Sequence, residues 1–133
     1  FTFLLFDELF KKRTTSIKAF LLNQQVIAGI GNIYADEICY RAKVHPGRPV
    51  NTISLPERKR LFTAIKKILD QAVSKRGTTF SDYVDASGNK GGFFPYLKVY
   101  NQEGERCHRC GDDYIEKIKL AGRGTHFCRS CQV

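Results

Sequence analysis

The chain has 133 residues, a formal net charge of +9 and a hydrophobic fraction of 42%. Its length fits one domain or two small ones, and its apolar content excludes a disordered chain. No apolar run approaches the roughly 18 residues that a transmembrane helix needs, and acids follow the apolar residues 1–6 at once, which excludes a signal peptide. The basic charge favours a polyanionic partner: a nucleic acid, an anionic membrane or an acidic protein. Because the sequence contains no Met, we expect a processed chain or a piece of a longer one.

Two short helices are predicted in the first 23 residues. Residues 5–13, LFDELFKKR, place apolar side chains four positions apart and end in three basic residues, which suit the negative end of a helix dipole. The hydroxylated residues 14–16 are typical of a helix N-cap and predict a second helix at about 16–23. The chain is therefore expected to open with two helices separated by a short break.

A glycine-rich turn and a third helix are predicted next. The segment QQVIAGIGN, residues 24–32, holds two glycines two positions apart, which marks a tight turn. Asn32 suits the N-cap of a helix at about 32–43. The first turns of that helix carry Asp36 and Glu37, where the helix dipole favours acids.

The same turn is a candidate phosphate site, because a helix N-terminus offers free backbone N–H groups and a partial positive charge. Lys18, one helix earlier, is placed to reach the same phosphate. The alternatives are an ordinary corner between two helices and a lysine that is simply exposed to solvent. The residues alone leave both interpretations open.

The longest predicted helix spans about residues 55–76, with Ser54 as its N-cap. Its apolar residues recur along one face at helical spacing and include Leu61, Ile65, Ile68 and Ala72. The other face is basic, and we expect most of its Lys and Arg side chains to be solvated. The apolar stripe therefore predicts a helix that packs on the core along one side.

An irregular stretch and a hairpin complete the predicted elements. Residues 78–98 lack periodicity and contain the glycine-rich DASGNKGG, which predicts a loop. Residues 96–100, YLKVY, are either a short strand or a connector. Two short strands are expected near 115–120 and 125–128, joined by a turn at 122–124.

Four of the five cysteines follow the spacing of a structural zinc site. The pattern C-x2-C, 17 residues and C-x2-C lets two knuckles arrange four sulfurs as a tetrahedron around one Zn²⁺ ion: Cys107, Cys110, Cys128 and Cys131. The alternative is a secreted miniprotein with two disulfides, against which the odd fifth cysteine and the lack of a secretion signal argue. Cys39 stands apart in an apolar context, where we expect a small buried residue.

The predicted hairpin turn presents one arginine. Arg123 lies between two glycines in AGRGT, and glycine lets the backbone approach a partner closely. A guanidinium in such a position can form two parallel hydrogen bonds to phosphate oxygens. The alternative is a plain hairpin turn with an exposed arginine. His108 and His126 lie beside the zinc cysteines, but four thiolates already complete a tetrahedron, so neither histidine is needed as a ligand.

Three stretches resemble the formamidopyrimidine-DNA glycosylase family, in the order in which that family has them. IKAFLLNQQVIAGIGNIYADEI, residues 17–38, resembles its helix–two-turns–helix element. CHRCG…IEKIKLAGRGTHFCRSCQ, residues 107–132, resembles its C-terminal zinc finger, and residues 77–107 resemble the segment that joins the two. The motif AGRGTHFC favours the formamidopyrimidine branch over the endonuclease VIII branch.

The resemblance implies a mainly α fold with a small β-hairpin zinc finger at its end. We expect a helix–two-turns–helix DNA-binding domain at residues 1–90, a connector at 91–105 and the finger at 106–133. The family removes oxidised purines such as 8-oxoguanine and formamidopyrimidine from damaged double-stranded DNA by base-excision repair. The resemblance further implies one structural zinc ion, a monomer without a membrane partner, and a bacterial cytoplasmic, nucleoid-associated protein.

The family's chemistry depends on residues that this chain does not match. Its members flip the damaged nucleotide out of the duplex, and the amine of an N-terminal proline, with a glutamate beside it, forms a Schiff base with the sugar before β,δ-elimination. This chain begins Phe1-Thr2-Phe3 instead of Pro-Glu. We therefore assign no catalytic residue to it and expect the 133 residues alone to be inactive. The alternative function is a stand-alone zinc-ribbon module that binds nucleic acid.

The resemblance also implies which residues contact DNA. Lys18 and Asn32 would bind phosphates near the lesion, and Tyr100 and Lys117 would make supporting contacts to the backbone. Arg123 would clamp the phosphate beside the flipped nucleotide. Residues 87–94 correspond to the loop that closes over the damaged base.

Overall fold

Four α-helices, one short 3-10 helix and a two-stranded antiparallel sheet form the part of the chain that the computed structural model describes, which is residues 2–11, 13–23, 30–74 and 97–133. The helices are α1 (Phe3–Phe10), α2 (Ile17–Leu22), α3 (Asn32–Ala42) and α4 (Leu55–Ser74), the 3-10 helix is Val50–Thr52, and the strands are β1 (Ile115–Leu120) and β2 (Arg123–Cys128). The predicted mainly α class with a terminal β-hairpin is confirmed. No helix in these ranges is long and apolar enough to cross a membrane.

Helix α1 begins ahead of its predicted start and ends at Phe10. The Thr2 hydroxyl accepts a hydrogen bond from the Leu5 amide at 3.3 Å. An N-cap of this kind satisfies one of the free N–H groups of the first turn, so the helix starts at once. Of the basic residues expected at its end, Lys11 and Arg13 lie beyond the helix and Lys12 is outside the described residues. Lys11 forms an exposed ion pair with Glu8 at 2.8 Å.

Helices α2 and α3 lie on either side of the predicted glycine turn, of which residues 24–29 are outside the described residues. The Ser16 hydroxyl caps α2 by accepting a hydrogen bond from the Ala19 amide at 3.2 Å. Asn32 is the first residue of α3 and not its N-cap, which is Gly31. Gly31 has no side chain to cap the helix. The side-chain Nδ2 of Asn32 donates to the Gly124 carbonyl of the hairpin.

Helix α4 has both the cap and the apolar stripe that the sequence predicts. The Ser54 amide donates to Glu57 Oε1 at 2.8 Å, and the Glu57 amide donates to the Ser54 hydroxyl at 3.4 Å, which forms a capping box. The buried stripe packs against α3, and none of its described members is more than 4% exposed: Leu61, Ala64, Ile65 and Ile68. The side chain of Ala72, the last residue of the predicted stripe, lies outside what the structure describes.

The basic side chains of α4 divide into two groups. Arg58 donates to the Asp7 carboxylate of α1 at 2.5 Å, and Arg60 donates to the Ala42 carbonyl at the end of α3 at 2.9 Å. These two arginines therefore join helices. The other described members of this face are exposed, as expected: Lys59, Lys66 and Lys67.

An aromatic cluster forms the core between α1, α2 and α4. The Phe10 ring lies 4.9 Å from the Phe6 ring and 4.7 Å from the Phe20 ring, measured between centroids. Phe62 of α4 completes the cluster at 5.6 Å from Phe6. Because Phe6, Phe10 and Phe20 are nearly inaccessible to solvent, their burial holds α1 and α2 together.

Strands β1 and β2 form the predicted hairpin, but its turn is shorter than expected. Leu120 pairs directly with Arg123, so the turn consists of Ala121 and Gly122, whose φ angles are 51° and 73°. Two successive positive φ angles give the twist that suits a two-residue hairpin turn. Arg123 is therefore the first residue of β2 and not a turn residue.

A buried ion pair joins this hairpin to the helices. The Lys18 ammonium of α2 and the Asp36 carboxylate of α3 bind each other, and both side chains are 0% exposed. Asp36 Oδ2 accepts hydrogen bonds from the His126 amide at 3.0 Å and from His126 Nδ1 at 2.9 Å. Lys18 also donates to the Thr125 hydroxyl at 2.9 Å. Asp36 lies beyond the first turn of α3, so it does not have the predicted role of an acid that stabilises the helix dipole. Its carboxylate binds the hairpin at His126.

The end of the described chain forms a second seam between the hairpin and the helices. Gln132 Oε1 accepts a hydrogen bond from the Cys128 amide at 2.8 Å, and Gln132 Nε2 donates to the Val44 carbonyl at 3.0 Å. The His45 amide donates to the Val133 carbonyl at 3.0 Å. The hairpin is thus attached at both the start of α3 and the loop that follows it.

Residues 97–100 form a connector and not the alternative strand. Three successive amides, those of Lys98, Val99 and Tyr100, donate to the Glu37 carboxylate at 2.8 to 2.9 Å. These donors are used up by one side chain and are not available to a sheet. Burial raises the pKa of Glu37, and the three N–H donors oppose that rise.

We predict that Lys18→Met lowers the free energy of unfolding of the zinc-loaded chain by about 3–5 kcal/mol, because it leaves the Asp36 carboxylate buried without its cation. Urea unfolding followed by circular dichroism measures the change. Lys119→Met, at an exposed position of β1, is the matched control and should stay within about 0.5 kcal/mol of the wild type. A Lys18→Met variant as stable as this control would contradict the prediction.

A second prediction concerns acid stability. Arg48 binds Glu57 of α4 through two hydrogen bonds, at 2.7 and 3.0 Å, which lower the pKa of Glu57 from 4.5 to about 2. The folded state therefore favours the charged carboxylate, whose stabilising effect is full above pH 4.5 and is lost as the pH falls toward 2. We expect the stability difference between the wild type and Glu57→Gln to shrink over this range. Asp70→Asn, on the exposed side of the same helix, serves as the control, and a difference independent of pH would refute the assignment.

Candidate functional site

The four predicted zinc ligands lie together at the base of the hairpin. Their sulfur atoms are all within 4.8 Å of one another, and the Cys107–Cys131 and Cys110–Cys128 pairs are each 3.7 Å apart. A tetrahedral site with zinc–sulfur bonds of about 2.3 Å requires sulfurs about 3.8 Å apart. The geometry therefore fits one structural zinc ion with no open position for a substrate.

The two knuckles have the same backbone form. The Gly111 amide donates to the Cys107 carbonyl, and the Gln132 amide donates to the Cys128 carbonyl, both at 3.0 Å. Each bond curls a C-x2-C segment so that its sulfurs face one point. None of the five cysteines forms a disulfide, which argues against the disulfide alternative, and Cys39 is a buried residue of α3, as expected.

One tyrosine of α3 reaches the metal site. Tyr40 is 5% exposed, and its hydroxyl oxygen lies 3.2 Å from Cys107 Sγ. The Arg109 guanidinium lies over the Tyr40 ring, with its carbon 4.1 Å from the centroid, and donates to the Tyr40 carbonyl at 2.7 Å. Burial raises the pKa of Tyr40, so its hydroxyl keeps its proton at neutral pH.

Lys18 and Asn32 converge on one atom of the hairpin. Lys18 Nζ lies 3.3 Å and Asn32 Nδ2 3.1 Å from the carbonyl oxygen of Gly124, which is the neighbour of Arg123. Lys18 of α2 and Asn32 of α3 therefore meet the hairpin tip, which lies about 90 residues further along the chain, at one place. Lys18 is fully buried there, so the solvent-exposed alternative is wrong for it.

Arg123 projects from the hairpin beside this place. Its side chain is exposed, while its carbonyl accepts a hydrogen bond from the Thr125 hydroxyl at 3.1 Å. The Thr125 hydroxyl in turn accepts a hydrogen bond from the Lys18 ammonium. The backbone that carries Arg123 is thus held by buried groups, and only the guanidinium is presented outward.

Tyr100, from the connector, and Lys117, from β1, both lie next to His126 of β2. The Tyr100 and His126 rings are 4.9 Å apart between centroids, and Lys117 is the direct cross-strand partner of His126. Glu103 lies between His126 and Lys117, with its carboxylate oxygens 3.5 Å from His126 Nε2 and 3.7 Å from Lys117 Nζ. The five predicted DNA-contacting residues are therefore all grouped around β2, and their contact with DNA stays a prediction.

Sequence reasoning missed the residues that hold this arrangement from within: Asp36, Glu37, Glu103, Thr125 and His126. One signal was present in β2. Its last four residues are all buried, so they do not alternate between an inner and an outer face. Strands without alternation are covered on both sides, and the run THFC indicates such a strand. The predicted lesion-closing loop at residues 87–94 lies outside the described residues.

Comparisons with known proteins agree with this geometry. The profile described as formamidopyrimidine-DNA glycosylase H2TH domain matches residues 1–84, and the profile described as a zinc finger found in FPG and IleRS matches residues 104–133. The formamidopyrimidine-DNA glycosylase of Listeria innocua is 52% identical over 122 residues, which are 92% of this chain and 44% of that protein. The protein of the same name from Heliobacterium modesticaldum is 44% identical over 99% of this chain and 47% of its own length.

Solved structures give the same result. Lactococcus lactis Fpg in complex with DNA containing an abasic site superposes with a TM-score of 0.88 at 42% identity, covering 100% of this chain and 48% of that one. Its complex with DNA containing FAPY-dG gives a TM-score of 0.87 at the same identity. The chain spans about half the length of the relatives that it matches. From the fold, the zinc cysteines and these likenesses together, we conclude that this chain belongs to the formamidopyrimidine-DNA glycosylase family.

Proposed function

We propose that this chain is the DNA-gripping part of a bifunctional DNA glycosylase/AP lyase that removes oxidised purines, 8-oxoguanine and formamidopyrimidine, by base-excision repair. The observation that carries the proposal is the shared hydrogen-bond acceptor at Gly124. It joins the start of α3 to the hairpin tip and so places Asn32 and Arg123 on one surface. Two solved relatives that superpose on this chain are complexes with DNA containing an abasic site or FAPY-dG.

The chemistry of the surface suits a DNA backbone. Arg123 and Lys117 are exposed cations on the same hairpin, and the first residue of α3 contacts the carbonyl of Gly124, the neighbour of Arg123. A guanidinium forms paired hydrogen bonds with phosphate oxygens, and a helix N-terminus favours a negative group. Contacts of this kind position the duplex without reading its sequence, which suits an enzyme that finds lesions in any context.

The proposed contacts divide by exposure. Asn32, Tyr100, Lys117 and Arg123 are proposed to bind the backbone directly. Lys18 is proposed to act on the phosphate near the lesion indirectly, because its buried ammonium is bound to Asp36 and holds the Gly124 carbonyl and the Thr125 hydroxyl of the same surface. The match of residues 1–84 to the family's H2TH profile argues against the stand-alone zinc-ribbon alternative.

The cutting steps are proposed for the parent protein and not for these 133 residues alone. In the family that the sequence resembles, the base is expelled by an N-terminal proline amine, and the chain covers 44% of a curated relative. We propose that the 133 residues bind damaged duplex DNA weakly and do not cleave it. The proposed whole is a monomer that acts on chromosomal DNA in the bacterial nucleoid, as the resemblance implies.

Arg123→Ala should weaken binding to a duplex with an abasic-site analogue similarly in every flanking sequence. Because one phosphate contact is lost, the slope of log affinity against log salt should become shallower by about 0.9. Fluorescence anisotropy across a salt series measures both effects. Arg129→Ala is the matched control, since it removes the same charge from an exposed ion pair with Glu116 elsewhere in the finger. A loss confined to one flanking sequence would mean that Arg123 reads bases.

Borohydride trapping separates binding from chemistry. We expect the 133-residue chain to bind an 8-oxoguanine duplex weakly in a gel-shift assay. When borohydride is added, we expect no covalent adduct, because no Schiff base forms. A full-length relative with an N-terminal proline is the positive control. A trapped adduct with the chain alone would refute the proposed inactivity, and a lack of any duplex binding would refute the proposed grip.

A further inference from the structure

Tyr40 stands at the junction of the helices and the zinc site. It belongs to α3, yet its hydroxyl lies 3.2 Å from Cys107 Sγ, a zinc ligand that follows it by 67 residues. A metal-bound cysteine is a thiolate and has no proton to donate. The hydrogen in this contact must therefore come from the tyrosine, which makes Cys107 the acceptor.

We propose that Tyr40 is a positioning residue of the zinc site, whose hydroxyl donates a hydrogen bond to the Cys107 thiolate and slows loss of the metal. A zinc ion with four thiolates carries a net charge of −2, and donors to the sulfur atoms offset that charge. The donor is held in place by burial, since Tyr40 is only 5% exposed. The burial of the residue places its bond to sulfur in an environment of low dielectric, where a hydrogen bond is stronger than in water.

Arg109 completes the grip on Tyr40 from the finger side. It lies within the first knuckle, between Cys107 and Cys110, and its guanidinium both covers the Tyr40 ring and binds the Tyr40 carbonyl. The first knuckle thus makes three contacts with Tyr40: Cys107 Sγ to its hydroxyl, and the Arg109 guanidinium to its ring and to its carbonyl. Any movement of α3 away from the finger removes the donor from Cys107, so zinc retention depends on the packing of the helices.

The test is Tyr40→Phe in the zinc-loaded 133-residue chain. Phenylalanine keeps the ring under Arg109 and removes only the hydroxyl. Loss of such a hydrogen bond typically weakens metal binding by about 10- to 100-fold, so we expect zinc transfer to a chromogenic chelator to be at least about tenfold faster. Tyr114→Phe is the matched control, because it removes an exposed hydroxyl of the same finger that binds Arg106.

The absorption spectrum of the cobalt-substituted protein distinguishes a hydrogen bond to the thiolate from a purely structural role of Tyr40, because only the hydrogen bond affects the energy of the sulfur lone pairs. The hydrogen bond stabilises the sulfur lone pairs, so its removal should shift the thiolate-to-cobalt charge-transfer band to longer wavelength in Tyr40→Phe and not in Tyr114→Phe. An unchanged band together with unchanged zinc release would overturn the proposal.

A second measurement needs no variant and applies even if Tyr40→Phe fails to fold. In the wild-type chain loaded with NMR-active cadmium, the Tyr40 hydroxyl proton should exchange slowly with water and show coupling to the metal through the sulfur. Rapid exchange without such coupling would overturn the proposal.

Discussion

The buried pairing of Lys18 with Asp36 is the interaction on which the rest of the structure depends. Taking two charges out of water costs several kcal/mol for each, and that cost is offset only if the remaining donors and acceptors are satisfied. Here they are satisfied by three consecutive residues of β2, because the Gly124 carbonyl, the Thr125 hydroxyl and His126 complete the shell around the pair. The pair thus ties α2, α3 and the hairpin together at one point.

The zinc ion and this ion pair constrain opposite ends of one small hairpin. A two-stranded hairpin alone is marginal in water, and a structural zinc ion fixes its base through four cysteines. The tip lies at the other end, where the metal exerts no direct control, and there Lys18 and Asn32 hold the Gly124 carbonyl. The exposed Arg123 is therefore carried by a backbone that is anchored at both ends, which is what a rigid phosphate clamp requires.

Local patterns in the sequence predicted the elements and the metal site well, whereas pairings across the chain were not predictable. The stripe of Leu61 and Ile65 predicted α4, and the cysteine spacing alone identified the zinc ligands. Asp36 was assigned to the helix dipole because acids early in a helix usually lie on the surface. Nothing in the local pattern signals that a lysine 18 residues away will be buried against it. Asn32 was taken for an N-cap because its preference for that place is strong, but it is the first helical residue, after the Gly31 cap, and its side-chain Nδ2 donates to the Gly124 carbonyl of the hairpin.

The two-residue turn of the hairpin limits how the finger can change. Because Arg123 is paired with Leu120, every residue of β2 has a fixed facing relative to the helices. Adding or removing one residue between the strands would shift the register of β2 against β1 and move Thr125 away from the Lys18 ammonium that it binds. Substitutions in the turn need only permit positive φ at Ala121 and Gly122, whereas its length has almost no freedom. Variation among fingers of this kind should therefore appear as exchange of residue type at a constant number of positions.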